Sequence, residues 1–218
     1  MMFMPLDVTP SIPGYRFRTP IDATGDVPTV FVMDDPGPTY TVGGDTRQAI
    51  ISADIPGQVH QLPLDFSSPD AYQIIAYLNS LAEQYAQMPE IREFTVALVN
   101  SKVNNDLYGQ LTTVTNFVKD RLIFVRDPVY SEYVISPDRL LSMIAAEGRA
   151  YGDCDDHVLL LNSMLGSLGF VTRVCGVKLY EQDRFDHVIS QVWYQNRWLD
   201  IDPCAKIVQQ PEYQEKLI

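Results

Sequence analysis

The feature that most constrains the fold is a helix-length apolar run that begins beside a cysteine and passes directly into β-rich sequence. The run follows Gly152-Asp153-Cys154 and spaces its apolar residues with the 3.6-residue period of a helix until Gly169 ends it. The sequence after it is rich in β-branched and aromatic residues as far as residues 198–203. Helices therefore precede strands, which predicts an α+β protein with a mostly antiparallel sheet.

Cys154 has the position expected of a nucleophile. It falls in the first turn of the predicted helix, where unpaired N–H groups and the positive end of the helix dipole favour a thiolate. Asp153, Asp155 and Asp156 act in the opposite direction, because nearby carboxylates raise the pKa of a thiol. We expect these carboxylates to be exposed and screened, so that a desolvated histidine partner decides the state of the thiol. The alternative is an ordinary buried thiol.

The chain has three histidines, and their positions favour one of them as the base. His60 lies in a proline-rich segment without an acid placed to orient it, and we predict that it is on the surface. His157 follows Cys154 by one helical turn, from which it cannot easily reach the exposed side of the thiol. His187 follows Cys154 by about thirty residues and begins a β-like run, and the order of a helix-start cysteine and a later histidine predicts it as the general base.

Strand pairing relates His187 to a carboxylate further along the chain. A loop of two or four residues between the strands would place His187 opposite Cys204. Asp202 would then lie on the same face, roughly 7–8 Å away between backbones, whereas an odd loop would turn it to the other face. Asp200 shares this face at a greater distance. A solvated strand edge or a weak Ca²⁺ site is the alternative for the two aspartates.

The order of these three residues resembles that in the transglutaminase-like superfamily of papain-related thiol enzymes, and the resemblance covers roughly residues 107–205. The matching motifs are Gly152-Asp153-Cys154 and Trp198-x-x-x-Asp202-Pro203. The resemblance implies a transglutaminase-like core with a catalytic triad. In it, Cys154 attacks an amide, His187 transfers the proton and Asp202 holds the imidazole tautomer.

The resemblance also draws attention to two neighbouring residues. In the superfamily an upstream aromatic or amide group donates to the oxyanion, and Tyr151 is the candidate here. A threonine or a similar residue usually follows the Asp-Pro pair, whereas this chain has Cys204. We expect Cys204 to be a buried filler near His187, and a second thiol at the edge of the site is the alternative.

The sequence predicts three parts: an extended arm at 1–68, the catalytic domain at 69–205 and a tail at 206–218. Residues 1–69 hold ten of the fifteen prolines and six of the twelve glycines, a composition typical of turns and extended pieces. Short β-like pieces lie at 29–33, 39–42 and 49–51. We expect the arm to pack over the catalytic domain or to reach a neighbouring subunit.

Helix-start signals occur four times between the arm and the nucleophile. Polar caps, proline in the first turn and an acid after it are typical of helix N-termini. These signals lie at 67–70, 89–90, 104–106 and 136–138. Gly148 is the predicted end of the last of these helices. Residues 124–137 show no period and are predicted to be irregular, lining the approach to the nucleophile as a comparable stretch does in the superfamily.

Composition argues against several classes of function. A formal net charge of −12 opposes binding to a nucleic acid backbone. No apolar segment approaches the roughly 18 residues of a membrane span, and the N-terminus lacks a signal-peptide pattern, so we expect a cytoplasmic protein that does not enter a membrane. Three cysteines without a Cys-x-x-Cys pair oppose a disulfide framework and a structural zinc site. Cys175 is predicted to be buried, and no cofactor or metal is expected.

The predicted chemistry is acyl transfer at an amide of a protein or peptide substrate. With water as acceptor the protein would be a cysteine peptidase or amidase, and with a lysine amine it would be a protein-crosslinking transglutaminase. The sequence leaves these two open. The alternative from another class is a bacteriophage virion or assembly component that binds an oligomer or virion partner through its arm, with catalysis incidental or lost. Its location would then be the host cytoplasm or the virion.

Overall fold

A computed structural model describes residues 56–62, 68–101, 106–127, 132–178, 185, 187–204 and 216–218. Five helices lie in these ranges: α1 (Ser68–Ala86), α2 (Pro89–Asn100), α3 (Leu107–Arg121), α4 (Pro137–Glu147) and α5 (Cys154–Ser167). Their positions confirm the predicted helix starts. In this part of the chain, every helix is too short or too polar to span a lipid bilayer.

The strands of the described ranges form one larger sheet and two small ones. They are β1 (Val59–Leu62), β2 (Leu122–Phe124), β3 (Glu132–Ile135), β4 (Ala150–Gly152), β5 (Thr172–Val177), β6 (His187–Tyr194), β7 (Arg197–Ile201) and β8 (Lys216–Leu217). The larger sheet is antiparallel and has the order β7-β6-β5-β8. The α+β class with a mostly antiparallel sheet is therefore confirmed.

Helix α5 lies at the centre of the domain because its sequence is apolar on every side. Leu159, Leu160, Leu161 and Leu165 are all fully buried, and α5 packs against α1, α2, α3 and the larger sheet. Burial of one such leucine side chain stabilises the fold by about 1.5–3 kcal/mol. The helix that carries Cys154 is thus held rigidly from several directions.

Two glycines end helices where the sequence predicts an end. Gly148 caps α4 in the left-handed conformation at φ +80°, and its N–H donates to the carbonyl of Ile144. Gly169 has φ +95° just beyond the end of α5. A side chain at either position would be strained, since only glycine adopts this region at little cost.

The hairpin between β6 and β7 has the shortest of the predicted even loops. Trp193 pairs with Trp198 and Tyr194 with Arg197, which leaves only Gln195 and Asn196 in the turn. Both turn residues have positive φ, of 50° and 61°, as a two-residue hairpin with the twist of its strands requires. This register places odd-numbered β6 residues on the same face as even-numbered residues after the turn.

One prediction needs correction, and others lie outside the described ranges. Part of the stretch at 124–137 is not irregular, because Glu132–Ile135 form β3, which pairs with β1 at the end of the predicted arm. The parallel pair of β2 and β4 is compatible with the mostly antiparallel pairing that the sequence predicts. The β-like pieces predicted for the arm before residue 56, and most of the tail, fall outside the residues that the structure describes.

Candidate active site

Cys154 is the first residue of α5, as its sequence predicts. Asp153 is the N-cap, and it forms a reciprocal capping box with Asp156, whose Oδ2 accepts from the Asp153 N–H at 3.1 Å. Gly152 is required beside this cap, because a Cβ on it would lie 2.5 Å from the Asp156 side chain. The Gly-Asp-Cys sequence therefore fixes the start of the helix and the direction in which Cys154 leaves it.

The Cys154 thiol lies among acids in a largely desolvated position. Burial raises its pKa well above the usual range, and the charges of Asp155, Asp153 and Cys204 add to that effect. The thiol donates to Asp155 Oδ1 at 3.6 Å. The backbone N–H of Val188 bonds to the thiol and lowers its pKa, but this effect is smaller. The surroundings of Cys154 therefore favour the protonated thiol, and its side chain keeps partial exposure.

The expectation of exposed, screened carboxylates around Cys154 is wrong. The relative exposures of Asp153, Asp155 and Asp156 are only 8%, 4% and 0%. The reason is the capping box together with Ile135, whose N–H donates to Asp156 Oδ1 at 2.6 Å and draws this carboxylate inward. A buried carboxylate acts on the thiol with little screening, so these acids favour the protonated form strongly.

Glu132 completes the acidic surroundings, and sequence analysis did not single it out. Burial raises its pKa to about 7, a hydrogen bond with Asp155 opposes this, and Asp153, Asp127 and Asp156 raise it further. Burial, Glu132 and Asp156 raise the pKa of Asp155 as well. Each of these two carboxyl groups therefore favours the protonated form of the other. The only signal in the sequence is that Glu132 and Asp127 lie together in the stretch at 124–137.

His187 and Asp202 are joined as predicted. The ring Nε2 of His187 lies 3.0 Å from Asp202 Oδ2, and both side chains are largely buried. The other carboxylate oxygen of Asp202 accepts from the backbone N–H of Cys204 at 2.9 Å. Because the carboxylate can only accept, Nε2 carries the hydrogen, and Nδ1 keeps its lone pair in the neutral ring.

Cys154 and His187 are brought to the same corner of the domain by the start of β6. The N–H that bonds to the thiol belongs to Val188, the residue directly after His187. Cys204 also belongs to this corner: it follows Asp202 by two residues, and its own pKa is raised by burial and then by Asp202 and the nearby acids. The corner thus holds the Cys154 thiol, an imidazole bonded to a carboxylate, and a second thiol.

The other two histidines have structural contacts. His157 is buried, with Nδ1 2.7 Å from the carbonyl oxygen of Asp153 and Nε2 3.3 Å from that of Leu122, so both ring nitrogens face backbone. The prediction that His60 lies on the surface is wrong. It is half-buried in β1, with Nδ1 3.0 Å from the Tyr77 hydroxyl, because β1 packs onto the domain.

A comparison with known protein families indicates the family of this chain. Residues 96–203 match the profile of the Transglutaminase-like superfamily, a range that contains Cys154, His187 and Asp202 and ends one residue before Cys204. The chain carries a transglutaminase-like core. No curated protein sequence matches the chain.

Two solved structures resemble this transglutaminase-like protein in part. One is named as a candidate protease from Parabacteroides distasonis, with a TM-score of 0.41, 15% identity, and coverage of 59% of this chain and 26% of that one. The other is named as a candidate cysteine protease from Cytophaga hutchinsonii, with a TM-score of 0.42, 12% identity, and coverage of 68% of this chain and 62% of that one. The chain therefore spans about a quarter of the first and less than two thirds of the second.

The remaining predicted site residues can be placed within the transglutaminase-like core. Tyr151 lies in β4, half-buried, with its ring packed against the main apolar core, and its role as an oxyanion donor stays a prediction. Asp200 bonds to Gln191 and pairs with Lys216, so it does not orient His187. Cys175 is fully buried, as predicted.

Acidic groups beside the thiol of the transglutaminase-like core are close enough to share a cation. One group is Asp127, Glu132 and Asp153, and another is Asp153, Cys154 and Asp155; within each, the ligand atoms lie within 4.8 Å of one another. Acidic clusters of this kind are common without a metal, so these distances alone assign no ion. That the protein needs no metal stays a prediction.

Proposed function

We propose that the protein is a thiol acyltransferase that cleaves amide bonds of a protein or peptide through Cys154, His187 and Asp202. The observation that carries the proposal is the bond between His187 Nε2 and Asp202 Oδ2 at 3.0 Å. It fixes the tautomer in which Nδ1 has a lone pair, and this is the atom that can take the thiol proton. A carboxylate that orients a histidine, next to a cysteine at a helix start, is typical of a catalytic triad.

The resting thiol is protonated, so proton transfer must accompany attack. As the sulfur of Cys154 bonds to the amide carbon, its proton moves to Nδ1 of His187, and the imidazolium is stabilised by Asp202. The imidazolium then gives the proton to the leaving nitrogen, the C–N bond breaks, and an acyl thioester remains on Cys154. Water or an amine attacks this thioester, passes its proton to His187 and releases the thiol.

The backbone N–H of Cys154 is a suitable donor for the oxyanion. The cap uses the next amides of α5: Asp155 N–H donates to Asp153 Oδ1 at 3.2 Å, Asp156 N–H bonds to the same side chain, and His157 N–H donates to the Asp153 carbonyl. Within the described ranges the Cys154 N–H has no acceptor. An oxyanion donor is an N–H that points at the carbonyl oxygen of the amide under attack, and a free N–H at a helix start is well suited to this.

Hydrolysis is the favoured outcome because water is always present as an acceptor. The test combines a fluorogenic peptide-amide library with a fluorescent primary amine as a competing acceptor. Cys154→Ala should abolish both hydrolysis and amine incorporation while leaving the thermal unfolding midpoint within a few degrees, because the thiol contributes little packing. Cys175→Ala is the matched control, since it removes a buried thiol outside the site and should keep activity. A Cys154→Ala variant with full turnover or full biological activity would refute the enzymatic proposal.

A further inference from the structure

The turn end of the β6–β7 hairpin carries a row of apolar side chains on the face of the larger sheet that points away from α5. Ser190 of β6 bonds to Asn162 of α5, so even-numbered residues of this strand face the helix and Trp193 lies on the other face. Trp198 is its partner on β7, and the Trp193 N–H donates to the carbonyl of Val171, just before β5, at 2.9 Å. Val171, Trp193 and Trp198 therefore lie side by side, and we call them the hairpin row.

The hairpin row is open to solvent. The exposed fractions are 42% for Trp193 and 60% for Val171, and Trp198 is half-buried. The two indole rings meet edge to face, with centroids 5.4 Å apart and an angle of 68° between their planes. Large apolar side chains that lie together at the surface are typical of a binding surface. This surface is separate from the candidate active site, since about 20 Å of β6 lies between Trp193 and His187 at 3.4 Å per residue.

Arg173 places a positive charge on the hairpin row. Its guanidinium carbon lies 4.0 Å from the centroid of the Trp198 ring, and its Nε donates to Gln191 Oε1 at 2.7 Å. Among the residues that the structure describes, Arg173 forms no ion pair, and its two terminal NH₂ groups have no acceptor. The neighbouring carboxylate of Asp200 is already paired with Lys216. The stacked guanidinium is therefore available to a carboxylate from outside, which it can bind through two parallel hydrogen bonds.

The width of the hairpin row matches one turn of a polyproline II helix. Neighbouring strands lie about 4.8 Å apart, so about 9.6 Å separates Trp198 on β7 from Val171 before β5. A polyproline II segment has three residues per turn and rises about 3.1 Å per residue, which gives a repeat of about 9.3 Å. Prolines at positions i and i+3 can therefore both contact the row. Proline-rich segments bind aromatic surfaces in this way because they are already extended and lose little entropy on binding.

Charge distinguishes between the ligands that such a surface could take. The formal net charge of −12 repels a long polyanion such as nucleic acid, whereas a short peptide is affected only by charges within a Debye length of about 8–10 Å. If a second copy of the chain docked through the same row, two Arg173 side chains would meet, and like charges in contact are unfavourable. An acidic peptide instead supplies the carboxylate that Arg173 can bind.

We propose that the hairpin row binds an acidic, proline-containing segment of another protein, with the pattern Pro-x-x-Pro beside aspartate or glutamate. The first proline packs against the two tryptophan rings, and the second packs against Trp193 and Val171. The acidic side chain pairs with Arg173. The proposal concerns binding at the far end of β6 and goes beyond the proposed acyl transfer.

The test uses the full chain and the synthetic peptide Asp-Asp-Pro-Ala-Ala-Pro-Asp, labelled with fluorescein for fluorescence anisotropy. Trp193 and Trp198 are the only tryptophans of the chain, so tryptophan emission reports on this surface and should change saturably with the unlabelled peptide. Trp193→Ala should raise the Kd at least about tenfold, as expected for a tryptophan at the centre of a binding surface. Arg173→Gln should raise it about fivefold at low salt, and this difference should shrink as salt screens the charge.

Two matched variants test whether the effect belongs to the hairpin row. Arg197→Gln removes the same charge one residue before Trp198, but alternation places its side chain on the opposite face of β7, so the Kd should change less than twofold. Tyr72→Ala removes an aromatic ring that is 55% exposed on α1, outside the row, and should also leave the Kd unchanged. If Trp193→Ala does not fold, Val171→Asp replaces it, because it keeps both tryptophans and should weaken binding at least about tenfold by repelling the acidic peptide.

Altered peptides test the chemistry of the ligand. Replacement of both prolines by alanine, or of the three aspartates by lysine, should each raise the Kd at least about tenfold. Equal binding of either peptide, an equal loss in Arg197→Gln and Arg173→Gln, or no saturable change up to about 1 mM peptide would overturn the proposal. A dimer in light scattering that Trp193→Ala dissociates would overturn it as well, because the row would then join copies of this chain. None of these readouts depends on turnover, so a failure here leaves the proposed triad unaffected.

Discussion

Replacement of Asp202 by asparagine tests the triad with a change of a single atom. In the structure Asp202 Oδ1 accepts from the Cys204 N–H at 2.9 Å, while Oδ2 meets His187 Nε2 at 3.0 Å. An asparagine that keeps its oxygen toward Cys204 must turn its NH₂ group toward His187. Nε2 then has to accept, the hydrogen moves to Nδ1, and the nitrogen needed by the thiol is no longer basic.

The size of the effect follows from the charge that is lost. A carboxylate about 4 Å from the centre of an imidazolium stabilises it by roughly 4 kcal/mol at an effective dielectric constant near 20. Because 1.4 kcal/mol corresponds to a factor of ten, we expect the population of the reactive thiolate–imidazolium pair to fall by about 10³. The same substitution in a serine triad costs a similar factor, about 10⁴.

The assay is the second-order rate of Cys154 alkylation by iodoacetamide at mildly acidic pH, followed by peptide mass spectrometry. Asp202→Asn should slow this rate about a thousandfold, and ¹⁵N NMR should show His187 changing from the Nε2–H to the Nδ1–H tautomer. Asp200→Asn is the control, since Asp200 contacts Gln191 and Lys216 and should change the rate less than twofold. An unchanged rate in Asp202→Asn, or Nδ1–H in the unmodified protein, would falsify this account of the base.

Three further changes probe the surroundings of the nucleophile. The pKa of Glu132 is about 7 in the folded protein against 4.5 for the ordinary group, so the free energy of unfolding should fall as pH rises through this window, by at most about 3 kcal/mol. In urea unfolding with a chelator present, Glu132→Gln should make the free energy of unfolding fall less with pH. An equal dependence on pH in both proteins would contradict this assignment. His157→Ala should cost about 3 kcal/mol of stability while slowing Cys154 alkylation little, and the reverse result would make His157 the base. Gly152→Ala should lower the thermal midpoint by several degrees through the clash with Asp156, and an unchanged midpoint would show that the cap can shift.

Local signals predicted most of the elements around the site. The proline that begins α4 and the glycine that ends it act within one turn of chain, and so does the glycine beyond α5, which is why their effect can be recognised without a fold. The relation between His187 and Asp202 could be predicted as well, because strand side chains alternate and the loop has only two residues. Such features depend on neighbours in the sequence.

Contacts between distant segments could not be predicted in this way. The burial of Asp155 depends on Glu132 from β3, and β3 forms because β1, more than seventy residues earlier, pairs with it. The parallel pairing of β2 with β4 likewise depends on the connection through α4. An acidic residue near a cysteine therefore appears exposed in the sequence and becomes buried only when remote strands cover it.

The protonated resting state of Cys154 has a consequence for the lifetime of the protein. Peroxide and generic alkylating agents react with thiolates, so a thiol whose pKa lies well above the usual range is oxidised and modified slowly. By the proposed function, Cys154 should therefore react slowly with such agents until a substrate is bound. Inhibitors should accordingly gain more from peptide-like groups that bring an aldehyde or nitrile to Cys154, where His187 can accept the proton, than from higher intrinsic reactivity.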